Sequence, residues 1–211
     1  MKQSKLLVIG MTGNSGSGKS TVATYFKDAY NVNVIDGDKI GHQMLEKDSP
    51  AFDELVQQFG EGVIDDVTGH ISREKLRSIV FADSKQLSAL DRISHYHICK
   101  FIFNQIHEIK TYQSLKYSAI IVDAVKLLES DLIHYTDTIW VVISDIEKRK
   151  ERLLNRDGLS IEAIEKRLAS QWKNKEYIER ADEIISNDTN LDELFKACDA
   201  LAVKYNLQSS L

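Results

Sequence analysis

Apolar residues along this chain follow two patterns that alternate from one end to the other. Short runs of consecutive apolar residues predict buried β-strands. These runs occupy residues 6–11, 32–35, 119–122, 138–143 and 183–185. A segment with apolar positions at helical spacing follows each of them. Because strands that alternate with helices pair in parallel through right-handed crossovers, we expect an α/β fold with three layers and a five-stranded parallel sheet.

The helical segments carry recognisable start signals. One covers residues 18–30, and a second covers residues 39–47. Pro50, the only proline, suits the first turn of the next helix, where its missing N–H is not needed. Ser72 is a predicted N-cap, and apolar residues at steps of three and four predict a long helix over residues 84–109.

The order of these elements predicts one domain with two helical additions. The sheet and its flanking helices form a core over about residues 1–39, 114–145 and 181–206. A helical subdomain follows at about residues 40–110, and a helical lid at about residues 146–180. The length of 211 residues agrees with a single domain, since domains contain about 100–200 residues.

Composition excludes several classes of protein. The two cysteines lie far apart in the sequence and no C-x-x-C is present, so neither a disulfide framework nor a zinc site is expected. We expect a reducing, cytoplasmic location and no membrane segment, because the early apolar run is too short. The 27 Lys and Arg against 32 Asp and Glu give a net charge of −5, which argues against nucleic-acid binding. Residues 145–180 are locally basic, which suggests an anion site.

The strongest motif follows the first strand and matches G-x-x-x-x-G-K-[ST] without a gap. Glycines allow such a loop to turn its N–H groups toward phosphate, and the next helix adds the positive end of its dipole. Lys19 is expected to reach the β- and γ-phosphates of a nucleotide, and the Ser20 hydroxyl to hold Mg²⁺. The predicted ATP-binding residues are Gly13, Asn14, Ser15, Gly16, Ser17, Gly18, Lys19, Ser20 and Thr21.

Three carboxylates follow predicted strands. Asp36 and Asp38 come after the second strand, where a carboxylate can orient a hydroxyl and take its proton, or can cap the next helix. Asp123 ends the third strand and is either a ligand of Mg²⁺ or a helix cap. The residues alone leave both pairs of alternatives open.

The basic segment places three cations on one helix face. Lys148, Arg152 and Arg156 are spaced by four, and guanidinium groups suit the spread charge of a transferring phosphoryl group. The alternative is a solvated face, because Glu147 and Glu151 are interleaved with them. No N-K-x-D run typical of a GTPase is present, so the length and the basic segment favour a small kinase.

These motifs together resemble the dephospho-CoA kinase family over about residues 6–190. The generic phosphate-binding loop is followed by Asp36-Gly37-Asp38, where the family has D-A-D. The more specific part of the resemblance is the series Arg156-Asp157-Gly158-Leu159-Ser160, Gln171, Ala181-Asp182 and Asn187. The resemblance implies a P-loop kinase that transfers the γ-phosphate of ATP to the ribose 3′-hydroxyl of dephospho-CoA.

The resemblance also implies roles for single residues. Asp38 would deprotonate the 3′-hydroxyl, and Arg152 and Arg156 would close over the transferring phosphoryl group. Asn187 would lie near the adenine. The remaining acceptor-binding residues that it implies are Asp36, Arg73, His95, Leu127 and Glu129.

Three positions depart from the family pattern. Tyr96 stands where the family has proline after histidine, and Val125-Lys126 replaces a Pro-Leu pair after the third strand. In the family these segments face the acceptor, so the acceptor is less certain than the nucleotide. A paralogous kinase with another nucleoside or nucleotide acceptor is the first alternative, and a nucleotide-sensing module without catalysis is the second.

Overall fold

The structure, a computed structural model, describes residues 6–158 and 160–210. Leu159, part of the Arg156–Ser160 motif, lies outside the described residues. The strands are β1 (Leu7–Thr12), β2 (Val32–Asp36), β3 (Ala119–Asp123), β4 (Thr138–Ile143) and β5 (Glu183–Ser186). All five predicted strands are confirmed, with ends that differ by one residue at most.

The sheet has the strand order β2-β3-β1-β4-β5 and is parallel throughout, as predicted. β1 lies in the middle and pairs with both β3 and β4. Because β1 and β3 are neighbouring parallel strands, the loops that leave them share one edge of the sheet. That edge is where doubly wound folds bind their ligands.

Nine α-helices are present among the described residues. They are α1 (Lys19–Ala29), α2 (Gly37–Gln43), α3 (Phe52–Phe59), α4 (Arg73–Ala82), α5 (Ser84–Tyr112), α6 (Ile146–Asp157), α7 (Ile161–Ala169), α8 (Asn174–Ile178) and α9 (Leu191–Lys204). Short 3₁₀ segments occupy Glu61–Val63, Leu127–Glu129 and Asp131–Tyr135.

Local hydrogen bonds explain where the helix predictions held and where they did not. The cap at Ser72 is confirmed, because its side chain accepts from the Lys75 N–H. The helix expected over residues 39–47 instead begins at Gly37, since the Asp36 carboxylate accepts from the Lys39 N–H and caps it there. Pro50 does not open a helix: α3 begins two residues later, with Ala51 at its N-cap.

The chain divides into two compact units. One contains the described residues up to Ile35 together with those from Ile106 onward, and it holds the strands of the sheet, helix α1 and helices α6–α9. Its core packs Trp140 of β4 against Phe26 of α1, and both side chains are fully buried. Cys198 on α9 lies in the same core.

The other unit runs from Asp36 to Gln105 and contains α2, α3, α4 and most of α5. A hydrogen bond between His97 on α5 and Glu54 on α3, with 2.8 Å between Nε2 and Oε2, joins two of its helices. Leu55 and Ile93 are among its fully buried side chains. Across the described parts of both units, no helix combines the length and the apolar content needed to cross a lipid bilayer.

Candidate active site

The phosphate-binding loop connects the end of β1 to the start of α1. Gly13, Gly16 and Gly18 have φ angles of 150°, 79° and 97°, in the left-handed region that favours glycine. A β-carbon on Gly13 would lie 2.2 Å from the carbonyl oxygen of Val142 in β4. The conformation and the available space therefore both require glycine. Such a loop before a helix N-terminus is the geometry in which backbone amides bind phosphate.

Lys19 and Asp123 form an ion pair at the carboxyl edge of the sheet. Lys19 is the first residue of α1, and Asp123 is the last residue of β3, which pairs with β1. The Lys19 Nζ lies 2.6 Å from Asp123 Oδ1, and both side chains are about nine-tenths buried. The alternative of Asp123 as a helix cap does not fit, because a 3₁₀ segment rather than an α-helix follows β3.

The hydroxyl of Ser20 and the carboxylate of Asp123 are the predicted ligands of Mg²⁺. Ser20 is exposed in the first turn of α1, next to Lys19. Both groups offer hard oxygen atoms, which are the ligands that Mg²⁺ prefers, and this ion commonly takes only one or two protein ligands beside phosphates and water. The donor set therefore fits the ion, and the site stays a prediction.

Arg152 on α6 contacts the loop from its carbonyl side. Its Nη1 donates to the carbonyl oxygens of Gly16 and Ser17, at 3.2 and 3.4 Å, and its Nη2 donates to that of Asn187 at 2.8 Å. These contacts differ from the expectation that Arg152 closes over the transferring phosphoryl group. Here the guanidinium is used to hold the loop. Arg156 lies one turn further along α6 and is exposed.

Asn187 also supports the loop. Its side chain is buried, and its Nδ2 donates to the Ser17 carbonyl at 2.8 Å. A β-carbon on Gly18 would lie 2.1 Å from the same Nδ2. The amide of Asn187 packs against Gly18, which leaves room for it, and its expected place beside the adenine stays a prediction.

Arg149 is a residue of this site that the sequence did not reveal. It is only 5% exposed, and its Nε donates to the Ser15 carbonyl at 3.0 Å. The charge run suggested a solvated residue. A signal was present, since Leu153 stands four positions later on the same helix face and is buried.

The lid helices supply two amide side chains. Gln171, between α7 and α8, accepts from the Ser15 N–H at 3.0 Å and donates to the Ser15 hydroxyl at 2.8 Å. Asn174 donates to the Ser144 carbonyl at 3.1 Å, and its side-chain amide lies 3.0 Å from that of Asn14. The side chains of Asn14 and Ser15 are thus hydrogen-bonded to residues of the lid.

Comparison with known proteins agrees with this arrangement. The family model described as dephospho-CoA kinase matches residues 7–193. A dephospho-CoA kinase of Fusobacterium nucleatum is 38% identical over 191 residues, which cover 90% of this chain and 94% of that protein. One of Aquifex aeolicus is 36% identical and covers 89% and 92%. The chain belongs to the dephospho-CoA kinase family.

Solved structures show the same fold. The Thermus thermophilus protein TT1252 has a TM-score of 0.75 and 27% identity, covering 94% of this chain and 97% of that one. Dephospho-CoA kinase from Campylobacter jejuni has a TM-score of 0.68 at 23% identity, covering 93% and 96%. These likenesses support a P-loop kinase fold for the whole chain, as predicted.

The family's paired carboxylates have different surroundings in this chain. Asp36 accepts from the Lys39 N–H at 2.9 Å, so the helix-cap alternative is observed for this residue. Asp38, in the first turn of α2, is exposed. Both residues are exposed, and only Asp36 is engaged as a helix cap. The role of Asp38 as the base stays a prediction.

The other residues that the family resemblance implies for the acceptor lie in both units. Arg73 is exposed at the start of α4, and His95 on α5 has its Nε2 3.6 Å from Cys99 Sγ. Glu129 is exposed at the end of its 3₁₀ segment. Leu127 has a fully buried side chain, with Cδ2 2.6 Å from where a β-carbon on Gly10 would stand. Its side chain packs in the core, and its role toward the acceptor stays a prediction.

Proposed function

We propose that this protein is a dephospho-CoA kinase that transfers the γ-phosphate of ATP to the ribose 3′-hydroxyl of dephospho-CoA, giving coenzyme A and ADP. The observation that carries the proposal is a complete phosphate-binding loop, with Lys19 at the carboxyl edge of the sheet, in a chain whose relatives bear that name. The family uses ATP as its phosphoryl donor.

Different residues of this chain bind the phosphates, activate the hydroxyl and stabilise the transferring phosphoryl group. Lys19 and the amides at the start of α1 hold the β- and γ-phosphates, and Asp123 positions the Lys19 ammonium. Asp38 orients the 3′-hydroxyl and takes its proton as the oxygen attacks the γ-phosphorus and the bond to the ADP oxygen breaks. Arg156 supplies positive charge from α6 to the transferring group. Ser20 and Asp123 would hold Mg²⁺, which when bound would supply positive charge to the phosphates.

We also propose a cytoplasmic location, which is supported by Cys99 and Cys198 being thiols rather than a disulfide, because cysteines stay reduced there. The acceptor is a small molecule. Nucleic acid and membrane lipid are not among the proposed partners.

A paralogous kinase with another acceptor is the second candidate. It is favoured by Lys126, an exposed cation in the segment after β3, where the family pattern has no charge. A cation there would suit an acceptor with an additional phosphate.

The test is ADP release from Mg·ATP with dephospho-CoA, run beside adenosine, uridine, AMP and CMP. We expect turnover with dephospho-CoA alone. The Asp38→Asn variant should lose about 10²–10⁴-fold in kcat, as expected for removal of a general base, with the KM for ATP little changed. Asp48→Asn, which removes another exposed carboxylate of the same unit, is the matched control and should behave as the wild type.

Turnover with a different acceptor only would replace the main proposal by the paralogous kinase. Tight ATP binding without turnover of any acceptor would point to the sensing module instead.

A further inference from the structure

The guanidinium of Arg149 is a buried positive charge beside the phosphate-binding loop. It donates from Nε to the Ser15 carbonyl at 3.0 Å and from Nη2 to Gln171 Oε1 at 3.4 Å, and both acceptors are neutral. Among the side chains that the structure describes, no carboxylate forms an ion pair with it. Its neighbour Lys150, by contrast, pairs with Glu147 and Glu165.

A buried charge without a counter-charge is costly unless something compensates it. Burial lowers the pKa of the Arg149 guanidinium, but a guanidinium stays protonated at neutral pH. The charge therefore persists and raises the electrostatic potential of the loop. A bound anion at the loop would supply the compensation that the described residues do not.

The hydrogen bond to Ser15 also sets the direction of a peptide group. In a planar trans peptide the C=O and the N–H point in opposite directions. Because the Ser15 carbonyl points to Arg149, the N–H of Gly16 points to the other side of the loop. Arg152 and Asn187 act in the same way on the carbonyls of Gly16 and Ser17.

The close approach of α6 keeps Arg149 in this position. A β-carbon on Gly16 would lie 2.8 Å from the Arg149 carbonyl oxygen, so the first turn of α6 packs directly on the loop. The backbone of Arg149 is therefore held against the loop, and its guanidinium is held there by its hydrogen bonds to Ser15 and Gln171. Its charge is thus a fixed part of the cradle.

We propose that Arg149 is a positioning residue for the polyphosphate chain of the nucleotide: it orients the Ser15–Gly16 peptide toward the phosphates and adds a fixed positive charge behind them. The inference rests on the proposed function, because it assumes that the loop binds a nucleoside triphosphate. It predicts that Arg149 contributes to the affinity for phosphates and not to that for the nucleoside.

The experiment measures displacement of a fluorescent ATP analogue by ATP, by inorganic tripolyphosphate and by adenosine, without any acceptor. The variants are Arg149→Gln, which keeps a hydrogen-bond donor without the charge, and Arg149→Lys, which keeps the charge. Lys150→Gln is the matched control, since it removes the same charge one residue away, where carboxylates already compensate it.

We expect Arg149→Gln to lower the affinity for ATP and the affinity for tripolyphosphate by the same factor. That factor should be about tenfold or more, as for the loss of a charge-assisted hydrogen bond. The affinity of that variant for adenosine should equal that of the wild type. Arg149→Lys should retain most of the affinity for tripolyphosphate, and Lys150→Gln should match the wild type. Thermal unfolding of each variant, measured without ligand, separates loss of folding from loss of binding.

Equal weakening of ATP and adenosine, or unchanged binding of tripolyphosphate by Arg149→Gln, would overturn the inference and leave Arg149 a packing residue. If Arg149→Gln does not fold, the test passes to Arg149→Lys, and a tenfold or greater loss of tripolyphosphate affinity in that variant counts against the role of the charge. Since no acceptor is present, these outcomes are distinct from a failure of dephospho-CoA turnover, which would contradict the proposed function alone.

Discussion

Side chains at the phosphate-binding loop fall into two groups that do different work. Lys19 is placed to meet the phosphates of a nucleotide, whereas Arg152 and Asn187 contact the loop through its carbonyl oxygens. A substitution in the first group should affect chemistry, and one in the second should affect the shape of the loop. Lys19 is a special case because its ion pair with Asp123 also contributes to stability.

Replacing Lys19 by methionine should abolish phosphoryl transfer and also destabilise the fold. The lost ammonium would leave the Asp123 carboxylate buried without its partner at 2.6 Å, at a cost of about 3 kcal/mol. Urea denaturation measures the free energy of unfolding. The double variant Lys19→Met/Asp123→Asn should recover most of that stability but none of the activity. Equal stability of the single and double variants would show that the pair is not coupled.

The residues of the nucleotide site were partly predictable from the sequence. The loop and Lys19 follow from one contiguous motif, whose chemistry is local. Arg149 and Gln171 were not predicted to contact the loop, because their role depends on contacts across 134 and 156 positions. A sequence shows a charge but does not show whether water or a peptide carbonyl surrounds it.

The position of the site depends on where the strands end and on how closely the glycines of the loop pack against them. β1 and β3 end side by side, with Met11 paired to Asp123, so the loops that follow them meet at one edge. The close contact of Gly13 with β4 makes the first turn of the loop part of the sheet packing. The loop is therefore stiff before any ligand arrives.

Gly13→Ala should destabilise the protein by about 1–3 kcal/mol, as for overpacking of a tight interior, because the Val142 carbonyl belongs to a central strand that cannot move aside. Gly62→Ala is the matched control, since no atom lies within 4 Å of where its β-carbon would stand. Thermal unfolding of both variants would decide the point. A Gly13→Ala protein as stable as the wild type would mean that β4 yields more readily than its position suggests.

The strands were predicted almost to the residue, whereas helix ends were less accurate. Strand ends coincide with Asp or polar residues that stop an apolar run, which is a local signal. The start of α2 depends on whether Asp36 caps it, and the sequence left that acid with two alternatives. The start of α3 after Pro50 depends on the preceding turn, in which the Ser49 carbonyl accepts from the Phe52 N–H.

On the scale of the whole molecule, helices α1 and α9 and the last residues of the chain form one connected cluster. The hydroxyls of Tyr25 and Tyr30 on or next to α1 both donate to Asp199 on α9, each at 2.6 Å. Two backbone hydrogen bonds extend the cluster. The Asn31 N–H donates to the Gln208 carbonyl, and the Ser210 N–H donates to the Ala29 carbonyl. The turn that leads into β2 is thus held by residues from the far end of the sequence.

This cluster should make stability fall at high pH. The hydrogen bond to Asp199, with burial, raises the pKa of Tyr25 to about 12, and burial with the same hydrogen bond raises that of Tyr30 further. Above about pH 10 the tyrosines of the unfolded chain lose their protons while the folded chain still binds them, so the free energy of unfolding decreases as the pH rises. Below that pH the contribution is constant.

Urea denaturation between pH 8 and about 11.5 would measure this decrease. The Tyr25→Phe/Tyr30→Phe variant should show a smaller decrease than the wild type, because the two shifted hydroxyls are gone. Parallel curves for the two proteins would contradict the prediction. The Leu191→Ala variant, at an exposed position at the start of α9, is a control that keeps both tyrosines.

The distant supports of the phosphate-binding loop have a consequence for synthesis of the chain. The loop is translated early, but the Asn187 amide that braces Ser17 follows 170 positions later, and β4 and Gln171 also come long after it. A nascent chain that has not reached β5 holds the whole motif without the carbonyl partners that shape it. Nucleotide therefore has a formed cradle to bind only after β5 has been translated, and ATP cannot serve as a template for folding of the loop before then.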